Sequence, residues 1–460
     1  MIRRFVLWLD DRLETASFAS HAMRKAFPDH WSFMLGEISL YSFIALLATG
    51  IFLGFLFDAS DAHLTYHGSY APLVGASVSS AYDSTMRISF ETQAGLVIRQ
   101  MHHWSALLFV AAIVTHMARI FFTGAFRNPR EINWIVGLTL LLLALGAGLT
   151  GYSLPDDLLS GTGLRITASV AMAIPVIGTW LESLFFGGPF PAPQMVGRLF
   201  FTHVLLLPAL IIGLISLHMA ILWRQKHTQF PGSGRTELNV VGSPLWPNYA
   251  LKSLGLGLAI FAVLAILGGF FQINPIWDYG PYSPSEVASP SQPDWYVGWL
   301  EGALRLGPPI EFHLFGHTIP ASFVPGVLFP LLAFGVLYLW PFIERSITKD
   351  DRVHNLLDHP IEVPWRTASG VAIFALFLIV TLAGSDDVQA RVIHVAIERL
   401  IVVYRVLGIA LPIVAWLVTF QLCRELRARA IQREVGEPSV VEFIRSPNGG
   451  FEEKQPTDTA

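Results

Sequence analysis

Four histidines form two pairs whose spacing could hold bound metal. His102 and His116 are fourteen residues apart, His203 and His218 fifteen, each pair inside a long apolar run. On a helix, fourteen residues rise about 21 Å and return to within about 40° of the starting face; fifteen rise about 22 Å with an offset of about 60°. Ionisable groups at such depths in an apolar helix are costly and are retained for function. If the two runs cross a membrane in the same direction, His102 faces His203 at one level and His116 faces His218 at the other. Facing imidazoles at two depths are what two six-coordinate haems require.

Two further pairs share this register. Gly36 and Gly50 are fourteen apart in one apolar run, and Gly137 and Gly151 fourteen apart in another. A haem edge pressed against a helix needs a residue without a side chain at the contact. Any one of these glycines could serve ordinary helix packing, but their register with the histidines favours a cofactor. Arg99 lies three residues before His102 and Arg119 three after His116, each on its histidine's side of the helix and suited to pair a propionate. His103 is out of phase, turned about 220° from His116, and reads as a packed or interfacial histidine.

The elements that must position these groups are membrane helices. The chain has 460 residues, 53% hydrophobic and only 14% charged, with a mean hydropathy of +0.52; soluble domains carry about 25% charged residues. The expected fold is an all-α polytopic membrane protein with eight spans: Phe33–Phe57, Leu96–Phe122, Ile132–Tyr152, Leu199–Trp223, Tyr249–Phe271, Val324–Phe342, Ala368–Ala383 and Leu400–Cys423. Its parts are an amphipathic segment (1–32), a four-helix dihaem bundle (33–230), a C-terminal membrane part (231–431) and a polar tail without regular structure (432–460). The apolar stretch in 153–198, broken by Pro175, reads as short helices at the membrane interface.

Lys and Arg cluster in the N-terminal segment (Arg3, Arg4, Arg12), after the second span (Arg127, Arg130), after the fourth (Arg224, Lys226, Arg235), after the sixth (Arg345, Lys349, Arg352) and in the tail. The alternate connections are poorer, which places both termini on the cytoplasmic side of the membrane. This pattern fits membrane lipid as the surrounding partner, not nucleic acid. The lone cysteine, Cys423, excludes an internal disulfide.

With these histidines and glycines, and with Gln292–Tyr296 (QPDWY), the chain resembles cytochrome b of the respiratory cytochrome bc complex, a quinol–cytochrome c reductase. The stretches PDHWSFMLGE, FTGAFRNPREINW and GYSLPDDLLSGTG are most similar to the actinobacterial, menaquinol-oxidising branch. The resemblance implies two non-covalent b-type haems: an outer, low-potential one on His102 and His203, and an inner, high-potential one on His116 and His218. It implies quinol oxidation at an outer pocket and quinone reduction at an inner one, with proton translocation. One electron leaves to a Rieske iron–sulfur subunit, and a c-type cytochrome subunit, a homodimeric complex and a supercomplex with cytochrome c oxidase are further implied partners. Asp294 matches the outer-site proton acceptor; Tyr152, Pro293, Trp295 and Tyr296 match its walls. Glu301, seven residues after Asp294, is expected to be a second step in proton release. At the inner site the histidine of mitochondrial relatives is replaced by Trp223, leaving His227, Lys252, Asp29 and Glu37 as candidate donors. Leu35 before Gly36 argues against a covalent third haem. A two-haem anchor of a hydrogenase or formate dehydrogenase would not need the QPDWY loop, and a transporter would not need the matched histidines.

Overall fold

The computed structural model describes residues 2–286, 292–314, 316–436, 442–445 and 449–454. Among these, eight helices are long and apolar enough to cross a membrane, one for each expected run. Two short helices, α1 (Ile2–Leu13) and α2 (Thr15–Met23), precede α3 (Leu35–Gly54). Then come α4 (Ser80–Phe90), α5 (Gly95–Phe122) and α6 (Glu131–Tyr152). The interfacial stretch folds as α7 (Leu158–Met172) and α8 (Gly178–Phe186). Asp157 starts α7 by accepting from the Leu159 and Ser160 amides at 3.1 and 3.3 Å, the usual satisfaction of free N-terminal donors.

The fourth span is built in three pieces: α9 (Met195–Phe201), a π turn (Thr202–Leu206) and α10 (Leu207–Gln225). After it come α11 (Ala250–Phe270), the short α12 (Ile276–Tyr279) and α13 (Gly298–Leu306), then α14 (Phe329–Thr348), α15 (Pro364–Ala383), α16 (Asp386–Ile393) and α17 (Ile397–Gly436). Several helices outrun their apolar cores. α14 ends at Thr348 and α15 begins at Pro364, because polar flanks continue the backbone bonding that an apolar phase demands. The tail from Gln432 has more structure than its composition suggests: α17 reaches Gly436, and Glu442–Arg445 pairs with Phe451–Lys454. The rest of the tail lies outside the described residues.

α3 packs against α5, α5 against α6 and α11, and α6 against α10. Their shared core includes Phe43, Phe109, Phe121, Trp134, Leu138 and Ile211. α15 packs on α17 and α13, a second group of helices that carries the 292–306 region against the first.

Candidate functional site

At the level that the charge pattern reads as outer, the rings of His102 on α5 and His203 on the π turn lie against each other, centroids 6.2 Å apart and planes at 76°. A metal–imidazole bond is about 2.0–2.1 Å long, so an iron bonded to both rings needs a separation of about this size. The Nδ1 atoms are already engaged. His102 Nδ1 lies 2.9 Å from Thr49 Oγ1, and that hydroxyl donates to the Ala45 carbonyl. His203 Nδ1 lies 3.0 Å from the Ala147 carbonyl and 3.3 Å from Thr150 Oγ1. Donation from Nδ1 leaves the Nε2 lone pairs for a metal, the tautomer that ligation needs.

The π turn explains the fifteen-residue spacing. A π turn adds one residue to a helix without adding a turn, which cancels the offset expected between His203 and His218.

Each of the four glycines meets one of the four histidines. A Cβ on Gly50 would lie 3.1 Å from His102 Cε1, on Gly151 2.3 Å from His203 Cε1, on Gly36 3.2 Å from His116 Cε1 and on Gly137 3.7 Å from His218 Cε1. The pairing is by level, as expected, but the neighbour is an imidazole rather than a cofactor edge. Gly151 tolerates no side chain without displacing the ring.

Buried polar atoms also fit the expected group. Arg119 Nε and Nη2 and Arg99 Nε are buried without a hydrogen-bond partner. Arg119 lies 4.2 Å over the Phe33 ring, and Arg99 reaches the Asn274 carbonyl at 3.1 Å. Guanidinium donors left free in an apolar interior suit carboxylates such as haem propionates. Residues of both kinds line one cavity of about 490 Å³: Gly50, His102, Gly151 and His203 along one part, Tyr152, Asn274, Asp294 and Tyr296 along another.

Asp294 enters this cavity from the turn before α13. Its carboxylate accepts from His103 Nε2 at 2.9 and 3.1 Å and from Tyr296 Oη at 2.9 Å. Tyr296 is buried; burial, then the adjacent Asp294, pushes its phenol well above the ordinary value, so it stays a donor. Tyr152 lines the cavity with its hydroxyl buried and unpartnered. Trp295 points away and is 46% exposed; neither it nor Pro293 lines the cavity.

Glu301 does not line it either. A seven-residue spacing would put two residues on one face of a helix, but Asp294 precedes α13, so the spacing does not bring Glu301 to its side. Glu301 is instead bound to Arg305, which also binds Asp386 and Asp387. Burial, and then repulsion from Asp387 and Asp386, raise the Glu301 pKa against the pull of Arg305. Gln292 donates to Asp387 at 2.6 Å, tying this cluster to the segment before Asp294.

The inner-side candidates separate. Lys252 pairs with Asp29 at the surface. His227 packs on Phe27 at 4.5 Å, and burial, then Lys25, Arg130 and Arg119, lower its pKa to about 4. Glu37 accepts from Tyr249, while its other oxygen is buried and unpartnered. The bonding roles of His103, Thr49, Thr150 and Asn274 escaped the sequence reading. The two threonines had a signal: each heads a Thr-Gly dipeptide fifty-three residues before an outer histidine.

A family model described as "Cytochrome b(N-terminal)/b6/petB" matches residues 107–281. The chain is 48% identical over 447 residues to the cytochrome bc1 complex cytochrome b subunit of Corynebacterium diphtheriae, covering 97% of this chain and 82% of that protein. The corresponding subunits of Mycobacterium tuberculosis and Streptomyces coelicolor are 47% and 45% identical, each over 96% of this chain. Among solved structures, a hyperthermophilic respiratory Complex III chain is similar at 21% identity with a TM-score of 0.66, covering 90% of this chain and 98% of its own.

Proposed function

The chain belongs to the cytochrome b subunit family of the cytochrome bc1 complex, and from that premise we propose that it is the membrane catalytic subunit of a menaquinol–cytochrome c reductase. The carrying observation is the two-level set of histidines, each with its glycine, beside a cavity that also holds Asp294. His102 with His203, and His116 with His218, hold two b-type haems, and Arg99 and Arg119 pair their propionates. When bound, these groups supply one-electron carriers at two depths between an outer quinol-oxidising and an inner quinone-reducing pocket.

This chain's own residues do the rest. Asp294 accepts a proton from quinol in the outer cavity, because oxidation in an apolar pocket needs a base within hydrogen-bond reach. Tyr152 and Tyr296 wall the quinol, and Pro293 and Trp295 shape the turn that carries Asp294. Glu301 takes the proton onward through the Arg305 cluster. One electron goes to a Rieske subunit and on to a c-type cytochrome subunit, the other crosses between the two histidine levels, in a dimeric complex able to join cytochrome c oxidase. Asp294 in place of glutamate supports menaquinol as substrate.

The test is a reduced-minus-oxidised spectrum with a redox titration of the purified complex, assayed with menaquinol and ubiquinol. Two b-type centres of different midpoint potential on this chain, and preference for menaquinol, are expected. One centre, or none, sinks the reading.

A further inference from the structure

His103 stands next to a proposed iron ligand yet faces the other way. One residue along a helix is a turn of about 100°, so α5 presents His102 to His203 on one side and His103 to the 292–297 segment on the other. His103 Nε2 reaches both oxygens of Asp294, at 2.9 and 3.1 Å, with each side chain only 14% exposed. Its ring also stands edge-on to Tyr152, centroids 6.3 Å apart. It therefore touches two residues of the outer cavity from a rigid helix.

Asp294 needs such an anchor. It lies in a turn outside any helix, and its carboxylate sits one carbon nearer the backbone than a glutamate's would. A short side chain on a loop cannot search for its place; a donor must come to it. Tyr296 supplies one donor, but from the same turn, two residues on. Its hydroxyl lies where a side chain at position 148 would be, since a Cβ on Gly148 would come within 2.4 Å of it. Among the described residues only His103 fixes the carboxylate to a different element, and sites held by rigid elements are more exact than sites held by loops alone.

We propose that His103 is a positioning residue for the outer quinol site: its Nε2–H holds the Asp294 carboxylate in the cavity at the distance from which it meets the quinol hydroxyl. This rests on the reading of Asp294 as the outer proton acceptor. One backbone step thus fixes both the outer histidine pair and the proton acceptor to α5, so their separation does not vary with the loop.

The test uses the purified complex with a short-chain menaquinol and cytochrome c, comparing His103→Leu, His103→Gln, Asp294→Asn and the double variant His103→Leu with Asp294→Asn. Displacing a reacting group by about 1 Å costs up to about 100-fold, so His103→Leu should lower kcat by about tenfold or more with KM little changed. His103→Gln, which keeps a donor, should recover most of that loss. Both should retain the two b-type absorption bands. The double variant should be no worse than Asp294→Asn alone, as for residues acting through one contact. If Asp294→Asn is impaired while His103→Leu turns over normally, His103 does not position it and only this inference falls. Normal turnover in Asp294→Asn overturns the acceptor reading beneath it. Loss of the outer band in both histidine variants, or multiplying losses in the double variant, also overturns the proposal. Should His103→Leu fail to assemble, His103→Asn, whose amide is too short to reach the carboxylate, gives the same readings.

Discussion

The Thr49 hydroxyl sits between the Ala45 carbonyl, to which it donates, and His102 Nδ1, from which it accepts. Partners of this kind raise the basicity of a ligating imidazole and so favour the oxidised metal. The two levels differ here: His116 Nδ1 is buried without a partner among the described residues, and His218 meets the Asn133 backbone but no side-chain hydroxyl. The outer pair is therefore the more electron-donating, in line with its proposed lower potential. Replacing Thr49 by Val removes one net hydrogen bond of about 1 kcal/mol, roughly 40 mV for a one-electron couple. Spectroelectrochemical titration of Thr49→Val should show the outer midpoint moved up by about that amount and the inner one unmoved. Thr150→Val should move it less, because His203 keeps the Ala147 carbonyl. The four histidines and their glycines were legible from spacing alone, because helical phase is a one-dimensional property. His103 was not: phase shows which way it faces but not that Asp294, 191 residues on, comes to meet it.

At the level of elements, the spans were legible and their irregularities were not. Continuous apolar runs mark helices whatever they pack against, whereas the π turn at Thr202–Leu206 is not signalled by residue type. It is the element that makes fifteen residues do the work of fourteen. The start of α13 at Gly298 was likewise unsignalled, and it separates Asp294 from the helix that bears Glu301. The link runs instead through Gln292 and Asp387 to Arg305, with α13 and α16 held together by one guanidinium facing three carboxylates. Asp386 is fully buried there and one of its oxygens is unpartnered. Burial raises the proton affinity of Glu301, which suits a group that receives a proton and passes it on. Because its pKa is raised, Glu301 becomes free to accept at a higher pH than an ordinary glutamate. It should therefore shape the acid limb of the activity profile. Glu301→Gln should lower turnover by less than the ~100-fold or more of removing a direct acid–base group and should remove that component of the acid limb. Unchanged turnover and an unchanged pH profile would show that Glu301 only ties α13 to Arg305.

Across the whole molecule, the connections segregate to two ends. At one end Arg130 donates to the carbonyls of Gln225, Lys226 and His354 and to Asn355, knitting together the connections after the second, fourth and sixth spans. At the other end Tyr82 donates to the Ile276 carbonyl, and the Leu158 amide to the Gly280 carbonyl, joining the connections after the first, third and fifth. The Lys- and Arg-rich loops thus share one face, and the cavity with Asp294 opens beside the other set. By the positive-inside rule the first face is expected in the cytoplasm, so the proposed release of a proton from Asp294 is to the outside. This orientation can be checked directly. Thr65, in the connection after the first span, and Ser233, in that after the fourth, are both exposed, while Cys423 is buried. In a Cys423→Ala background, a membrane-impermeant maleimide added to intact cells should label Thr65→Cys and spare Ser233→Cys; in inside-out vesicles the pattern should reverse. The opposite labelling would invert the molecule in the membrane, place His102 and His203 at the cytoplasmic level, and turn the proposed direction of proton release around.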